Sequence, residues 1–452
     1  MNASGQPGLL DALFTTAPMR EVFSERARLQ GLLDFEAALA RAEARAGVIP
    51  DAAVPPIASQ CRAELFDLAE LARGAALSGN TAIPVVNALT AKVARLDGEA
   101  ARFVHFGATS QDAMDTGLVL QLRAAFDLLE VDLARLAAAL RRLAEAHRRT
   151  PLAGRSWLQQ AQPITFGLKV GGWWSAVERH RDRFREVRPR LLSVELGGAV
   201  GTLEAFGEKG LEVASALARE LSLALPDLPW HAERDRVAEA ATTLGLLVGT
   251  LGKIARDVSL LMQSEVAEAL EPAEPGRGGS SSMPHKRNPV SSAVALAAAV
   301  RVPGLVATML SAMVQEHERG LGGWHAEWET LPEIARLAAG ALAHMADVVE
   351  KLEVDPGRMA RNLEVTGGAI KAAAVSLALA PALGKKVAHE LLEEASRRAA
   401  RERRPLREVL GEDQEVQSRL SPSDLDRLFD PLGGVGQAVE LLERALATRR
   451  AG

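Results

Sequence analysis

Apolar residues recur along most of this chain with the period of a helix rather than a strand. The clearest run lies between about Thr116 and His147, where Leu122, Phe126, Leu129, Leu133, Leu136, Leu140 and Leu143 alternate four- and three-residue steps. That is a heptad stripe, and it predicts one long helix packed along its length. Leu244, Val248, Leu251, Ala255, Val258 and Met262 repeat the period, and Gly245, Gly249 and Gly252 would admit a neighbouring backbone at close range. Helices of this length gain their stability by packing together, so a bundle is expected. A shorter helix is expected over Arg28 to Gly47, with Leu29, Leu32, Leu33, Ala37 and Leu39 facing inward and Gly47 as its stop.

These patterns predict an all-α fold in three parts: an N-terminal helical domain at 1–110, a long-helix domain at 111–354, and a small helical domain at 355–452. Beyond Asp355-Pro356 the loop signals crowd together, at Thr366-Gly367-Gly368, Ser421-Pro422-Ser423 and Asp430-Pro431-Leu432-Gly433-Gly434. The stretch Glu271 to Ser282, rich in Gly, Pro and Ser, reads as a mobile loop between helices.

Composition narrows the function classes. A chain of 452 residues with net charge -5 carries no basic footprint for nucleic acid and no polybasic membrane patch. Cys61 is the sole cysteine, so an intrachain disulfide and a thiolate metal cluster are excluded. No secretory pattern is read in the opening residues, and no charge-free apolar run reaches membrane-spanning length, so a cytoplasmic protein is expected. The nine histidines form no His-Glu-x-x-His pattern, which leads us to expect no metal. Gly197-Gly198-Ala199-Val200-Gly201 and Gly433-Gly434-Val435-Gly436 follow no strand and read as tight turns, not dinucleotide loops. No Gly-x-Ser-x-Gly elbow is present.

Four polar clusters interrupt the apolar pattern. In His105-Phe106-Gly107-Ala108-Thr109-Ser110-Gln111-Asp112, Thr109 or Ser110 either caps the following helix or helps form a carboxylate site at its N-terminus. Gly154-Arg155-Ser156-Trp157-Leu158-Gln159-Gln160-Ala161-Gln162-Pro163 is either a polar turn or a binding segment. Gly279-Ser280-Ser281-Ser282-Met283-Pro284-His285-Lys286-Arg287-Asn288-Pro289 is either a basic linker or a closing loop whose hydroxyls, lysine and amide stabilise developing negative charge. In Glu318-Arg319, the arginine is a carboxylate clamp or a surface ion pair.

Taken together and in this order, the clusters resemble the signature regions of the fumarase/aspartase superfamily, and the likeness runs from Arg20 through Asn362-Leu363 and Asp430-Pro431. The resemblance implies a three-domain subunit, a homotetramer sharing a central bundle, and active sites assembled from three subunits. It implies Ser280 as the proton-transferring residue, with Ser281 as a substitute, and Lys286 and Asn288 as stabilisers of the intermediate. Thr109, Ser110, Gln160, Arg319, His105 and Arg20 would bind substrate carboxylates. No cofactor is implied, and the partner is a small tricarboxylate.

Departures from the family pattern bear on the substrate. Trp157 and Ala293 stand where fumarase-like and adenylosuccinate-lyase-like members carry a histidine and a glutamate that protonate a leaving group. A carboxylate needs no such help, since its conjugate acid has a pKa of about 4. Trp157 then marks specificity, unless it is simply a core tryptophan. Trp324 and Trp328 replace positions that adenylosuccinate lyases use on a nucleotide phosphate. The segments Phe14-Thr15, Leu29 to Glu43 and Gly79-Asn80-Thr81-Ala82-Ile83-Pro84 resemble the bacterial 3-carboxy-cis,cis-muconate cycloisomerases, implying lactone formation in the protocatechuate branch of aromatic catabolism. A fumarate-releasing lyase and a catalytically silent helical scaffold are the competing readings.

Overall fold

In the computed structural model, which describes residues 8–279 and 282–448, the heptad stripe forms the helix Ser110–Ala146. At 1.5 Å per residue its 37 residues extend about 55 Å. Leu122, Phe126, Leu129, Leu133, Leu136 and Leu140 are all buried, so the stripe is the packing face. The helix starts six residues before the expected Thr116. Asp112, in its first turn, accepts the Thr109 amide at 2.8 Å, so a donor at the helix N-terminus is satisfied from within.

Four more long helices follow: Phe166–Leu191, Asp235–Leu261, Val290–Ala312 and Gly323–Glu350. The second predicted stripe is buried from Leu244 to Met262. Its glycines divide. A Cβ at Gly245 would meet Val306 at 2.9 Å and one at Gly252 would meet Ala299 at 2.7 Å, whereas Gly249 faces open space. Glycine is therefore required where the Asp235–Leu261 helix crosses its neighbour.

Packing groups the chain into two compact units. The first comprises the described parts of Met1–Ala134, Arg179–Gly252 and Val294–His344; the second, those of Arg135–Glu178, Lys253–Ala293 and Met345–Gly452. In the first, the helix Glu25–Arg45 is capped by Ser24, whose Oγ accepts the Ala27 amide at 3.1 Å, and the chain turns at Gly47 with φ of 71°. It crosses the Ser110–Ala146 helix where Gly31 meets Gly117; a Cβ on Gly31 would lie 3.0 Å from the Gly117 carbonyl oxygen. The core around Leu33, Phe35 and Leu39 also takes in Val194, Leu196, Phe206, Val213 and Leu217. In the second unit, Val375, Leu379, Leu392, Leu406, Leu410, Val416 and Leu425 build a separate core among the C-terminal helices.

Strands are few, as an all-α chain requires. The polar segment expected to be either a turn or a binding segment is a β-hairpin, Pro151–Ser156 paired antiparallel with Gln159–Thr165. Its register shifts between Gly154 and Arg155, and a Cβ on Gly154 would sit 2.6 Å from the Gln162 carbonyl oxygen. The second sheet pairs only Ala269–Leu270 with Glu353–Val354. Gly198 and Gly201 have φ of 72° and 83°, the tight turns expected of that segment.

Candidate active site

The first unit carries the candidates Thr109, Ser110, His105, Arg319 and Arg20 and a buried polar network. Ser110 opens its helix and accepts a hydrogen bond from Asn80 Nδ2 at 3.1 Å. Asn80 is held in turn because its Oδ1 accepts the Ala82 amide at 2.8 Å, at the start of the helix Ala82–Ala94. The Thr109 amide is satisfied by Asp112 and the Ser110 hydroxyl by Asn80, while both side chains remain partly exposed.

Asp112 organises what lies behind. Besides the Thr109 amide, its two oxygens accept the Gly197 amide at 2.9 Å, the Gly198 amide at 3.0 Å and His231 Nε2 at 2.6 Å. Burial, followed by the charges of Asp112 and Asp115, raises the Glu195 pKa well above the ordinary carboxylate value. Asp112, Glu195 and His231 offer ligand atoms within 4.8 Å of one another, a spacing that suits a metal. The donors do not fit one, because four hydrogen bonds already engage the Asp112 oxygens. Beside them the fully buried Arg234 bridges Asp115 at 2.7 Å and Glu327 at 2.5 Å, and Trp324 Nε1 donates to Asp115 at 3.1 Å. Trp324 is therefore a buried strut.

The same network fixes the turn that Arg319 grips. Arg319 Nη2 donates to the Ala199 carbonyl oxygen at 3.0 Å, and its Nε is buried without a partner. It makes no ion pair with a carboxylate among the described residues, so the surface-ion-pair alternative does not hold. Arg20 lies in the last turn of the short helix Ala17–Val22 and faces a cleft lined also by Phe14, Arg28, Arg301 and Arg336. His105, with φ of 57°, donates from Nδ1 to Glu36 Oε1 at 2.6 Å. Burial lowers its pKa, but the Glu36 carboxylate and, less strongly, Asp112 outweigh this and raise it overall.

The second unit carries the remaining candidates. Trp157 and Leu158 form the hairpin tip, each with positive φ, and are 96% and 81% exposed. The core-tryptophan alternative is thereby removed. Behind the tip, Arg155 makes a two-pronged pair with the fully buried Glu268, both contacts 2.8 Å, and Asn362 Nδ2 donates to the same carboxylate at 2.8 Å. Gln160 Nε2 donates to the Asn362 carbonyl oxygen at 2.8 Å, so its amide nitrogen serves the hairpin's anchorage.

The loop is pinned at its base. Glu271 accepts the amides of Ser291 and Ser292 at 3.2 Å and 2.8 Å, and Arg287 pairs with Glu353 at 2.9 Å. Asn288 turns its side-chain amide onto the Gly278 carbonyl oxygen at 3.1 Å, closing the loop on itself where a bridge joins Gly279 and Arg287. The Gly278 carbonyl oxygen also accepts the Asn288 backbone amide at 2.8 Å, so the side chain adds a second donor there with one of its two Nδ2 hydrogens. Lys286 is exposed, and Ala293 is exposed on the helix Val290–Ala312. Ser280 and Ser281 lie outside the described residues.

Asn80, Asp112, Glu195, His231, Glu36 and Glu268 were absent from the candidates drawn from sequence. Asn80 and Asp112 stood inside quoted motifs and were legible there. His231 and Glu195 carry no local signal, since each is joined to the site only by the fold.

A family of lyases matches residues 13–304, and the C-terminal family of adenylosuccinate lyase matches 368–445. The 3-carboxy-cis,cis-muconate cycloisomerase of Pseudomonas aeruginosa is 61% identical over 98% of this chain and 96% of its own length. The crystal structure of the 3-carboxy-cis,cis-muconate lactonizing enzyme from Pseudomonas putida superposes with a TM-score of 0.94 at 54% identity, covering 98% and 99% of the two chains. A fumarate lyase from Mesorhizobium sp. BNC1 superposes at 0.88 with 40% identity, covering 96% and 98%. Its helical fold, its loop at 279–289 and these near-complete matches make the chain a member of the fumarase/aspartase superfamily.

Proposed function

We propose that this chain is a cycloisomerase that closes 3-carboxy-cis,cis-muconate to 4-carboxymuconolactone. The observation that carries the reading is Trp157 at an exposed hairpin tip, where superfamily lyases present a histidine. An indole has no proton to exchange near neutral pH, so the site suits a reaction whose attacking or leaving group is a carboxylate. In the forward step, one substrate carboxylate oxygen bonds to an alkene carbon and the neighbouring carbon gains a proton, so nothing is lost or oxidised. The intermediate is a carbanion spread into a second carboxylate as an enediolate.

Arg319, Arg20 and His105 supply positive charge or donors toward carboxylates, and Thr109, Ser110 and Gln160 have the same role. Lys286 and Asn288 stabilise the enediolate, and Ser280, or Ser281 in its place, delivers the proton. Ala293 complements Trp157 by lacking a carboxylate. Loss of the conjugated ultraviolet absorbance of 3-carboxymuconate on adding protein tests the substrate, and no loss refutes it. Ser280→Ala is expected to lower the rate by roughly two to four decades. Fumarate release from a succinyl substrate would instead favour the lyase reading that the Mesorhizobium relative raises.

The same reading makes the active form a cytoplasmic homotetramer of three-domain subunits, divided at 1–110, 111–354 and 355–452, with each active site built from three subunits. What supports assembly is the helix Val290–Ala312, apolar yet mostly uncovered, with Val300 80% and Leu310 47% exposed. Its Arg301 pairs with Glu333.

A further inference from the structure

His105 has an inner face and an outer face. Its Nδ1 donates to Glu36 at 2.6 Å, while Nε2 has no protein partner among the described residues and 15% of the side chain remains exposed. Glu36 is only 2% exposed, and its second oxygen, Oε2, is buried without any partner. A carboxylate placed in an apolar helix face is costly unless its charge is used. Here the one side-chain partner shown for Glu36 is a histidine on the loop that leads into Ser110.

We propose that Glu36 is a positioning residue, which orients His105 so that Nε2–H is presented to a carboxylate of the substrate. The inference rests on the tricarboxylate reading above. Glu36 acts twice. It selects the ring orientation by occupying Nδ1, and its charge favours the imidazolium, which makes the outward donor charge-assisted. The left-handed backbone of His105, φ 57°, is strain of the kind retained where the surroundings over-determine a side chain.

The alternative is that the pair merely ties the 105 loop to the Glu25–Arg45 helix. The charged groups bearing on His105 are Glu36 from that helix and Asp112 from the Ser110–Ala146 helix. Glu43, two turns along from Glu36, is protonated by burial, and Asp112 is already engaged by His231 and three amides. Glu36 is thus the group whose loss moves the titration of His105. Its net effect is to keep the imidazolium to higher pH, so affinity for a carboxylate is full below the His105 pKa and is lost as pH rises through it.

The test compares wild type, Glu36→Gln, His105→Gln and the double variant in lactonisation of 3-carboxymuconate against pH. Glu36→Gln is expected to raise KM by about tenfold to a hundredfold, the range of one charged hydrogen bond, with a much smaller change in kcat. The basic limb of kcat/KM shifts to lower pH in Glu36→Gln and is absent in His105→Gln. Because one residue acts through the other, the double variant is no worse than His105→Gln. An unchanged KM and limb in Glu36→Gln, or losses that multiply in the double variant, overturn the proposal. Thermal stabilisation by propane-1,2,3-tricarboxylate provides a readout independent of turnover. If wild type is inert toward 3-carboxymuconate, the substrate reading falls by itself. Stabilisation that both single variants lose still supports the pair, and equal stabilisation of all three overturns it.

Discussion

Replacing Glu43 with Gln should make the protein more stable, increasingly so as pH rises. Glu43 lies on the buried face of the Glu25–Arg45 helix, is 0% exposed, and neither of its carboxylate oxygens has a partner. Burial, reinforced by the nearby Glu36, pushes its pKa from 4.5 up to about 9. Between those values the folded protein holds a proton that the unfolded chain has released. Stability therefore falls with rising pH, by about 1.4 kcal/mol per unit. From pH 5.5 to 8.5 the loss is about 4 kcal/mol. Glutamine has nearly the same shape and does not titrate, so Glu43→Gln removes this slope, while groups common to both proteins cancel. At roughly 2 °C per kcal/mol for a unit of this size, the gap in Tm between variant and wild type should widen by about 8 °C over that interval. Thermal unfolding followed by circular dichroism at half-unit pH steps measures it. Parallel Tm curves would show that Glu43 ionises equally in both states and would refute the reasoning.

Three further outcomes follow from other parts of the molecule. Glu268→Gln leaves the Arg155 guanidinium facing a neutral amide in a mostly buried place and should cost about 2–4 kcal/mol in denaturant unfolding, reduced from a fully buried pair by the partial exposure of Arg155; a change within noise would mean the clamp is idle. Val300→Glu with Leu310→Glu charges an already exposed face of one chain, so a monomer would tolerate it within about 0.5 kcal/mol. Light scattering should instead show a smaller particle than wild type, and an unaltered mass argues against assembly through this helix. Trp157→His alone should not yield fumarate release by chromatographic assay, because Ala293 supplies no carboxylate to polarise the new imidazole; measurable release would show that no such partner is required.

The sequence was most readable where a single period governs many residues. The stripe from Leu122 to Leu140 points inward along its whole length because one helix face has one role. The start of that helix was harder to place, since Ser110 and Asp112 are residues that favour caps and turns over helix interiors. The hairpin is hidden in the sequence for a different reason. Its turn is Trp157-Leu158, not the Asn-Gly pair that advertises such a bend, and Gln-rich strands lack the usual β-branched alternation. Motifs give the location of the loop at 279–289 but not the contacts of each group within it, such as the hydrogen bond from the Asn288 side chain to the Gly278 carbonyl oxygen. Glu36 and His105 are 69 residues apart, and Asp112 and His231 are 119 apart. Pairings of that kind depend on which helices cross, here on the contact of Gly31 with Gly117, and no local pattern encodes it.

The hairpin tip also has a bearing on how this protein responds to selection. Two large apolar L-residues in left-handed backbone cost about 1–2 kcal/mol each relative to residues suited to the bend. Asparagine and glycine at 157 and 158 would relieve that strain at once, and the side chains they replace are largely exposed. A screen for heat resistance alone would therefore be drawn to this turn early, and would discard the tryptophan as a defect. Stabilising libraries for the protein should hold positions 157 and 158 fixed and look for their gains elsewhere.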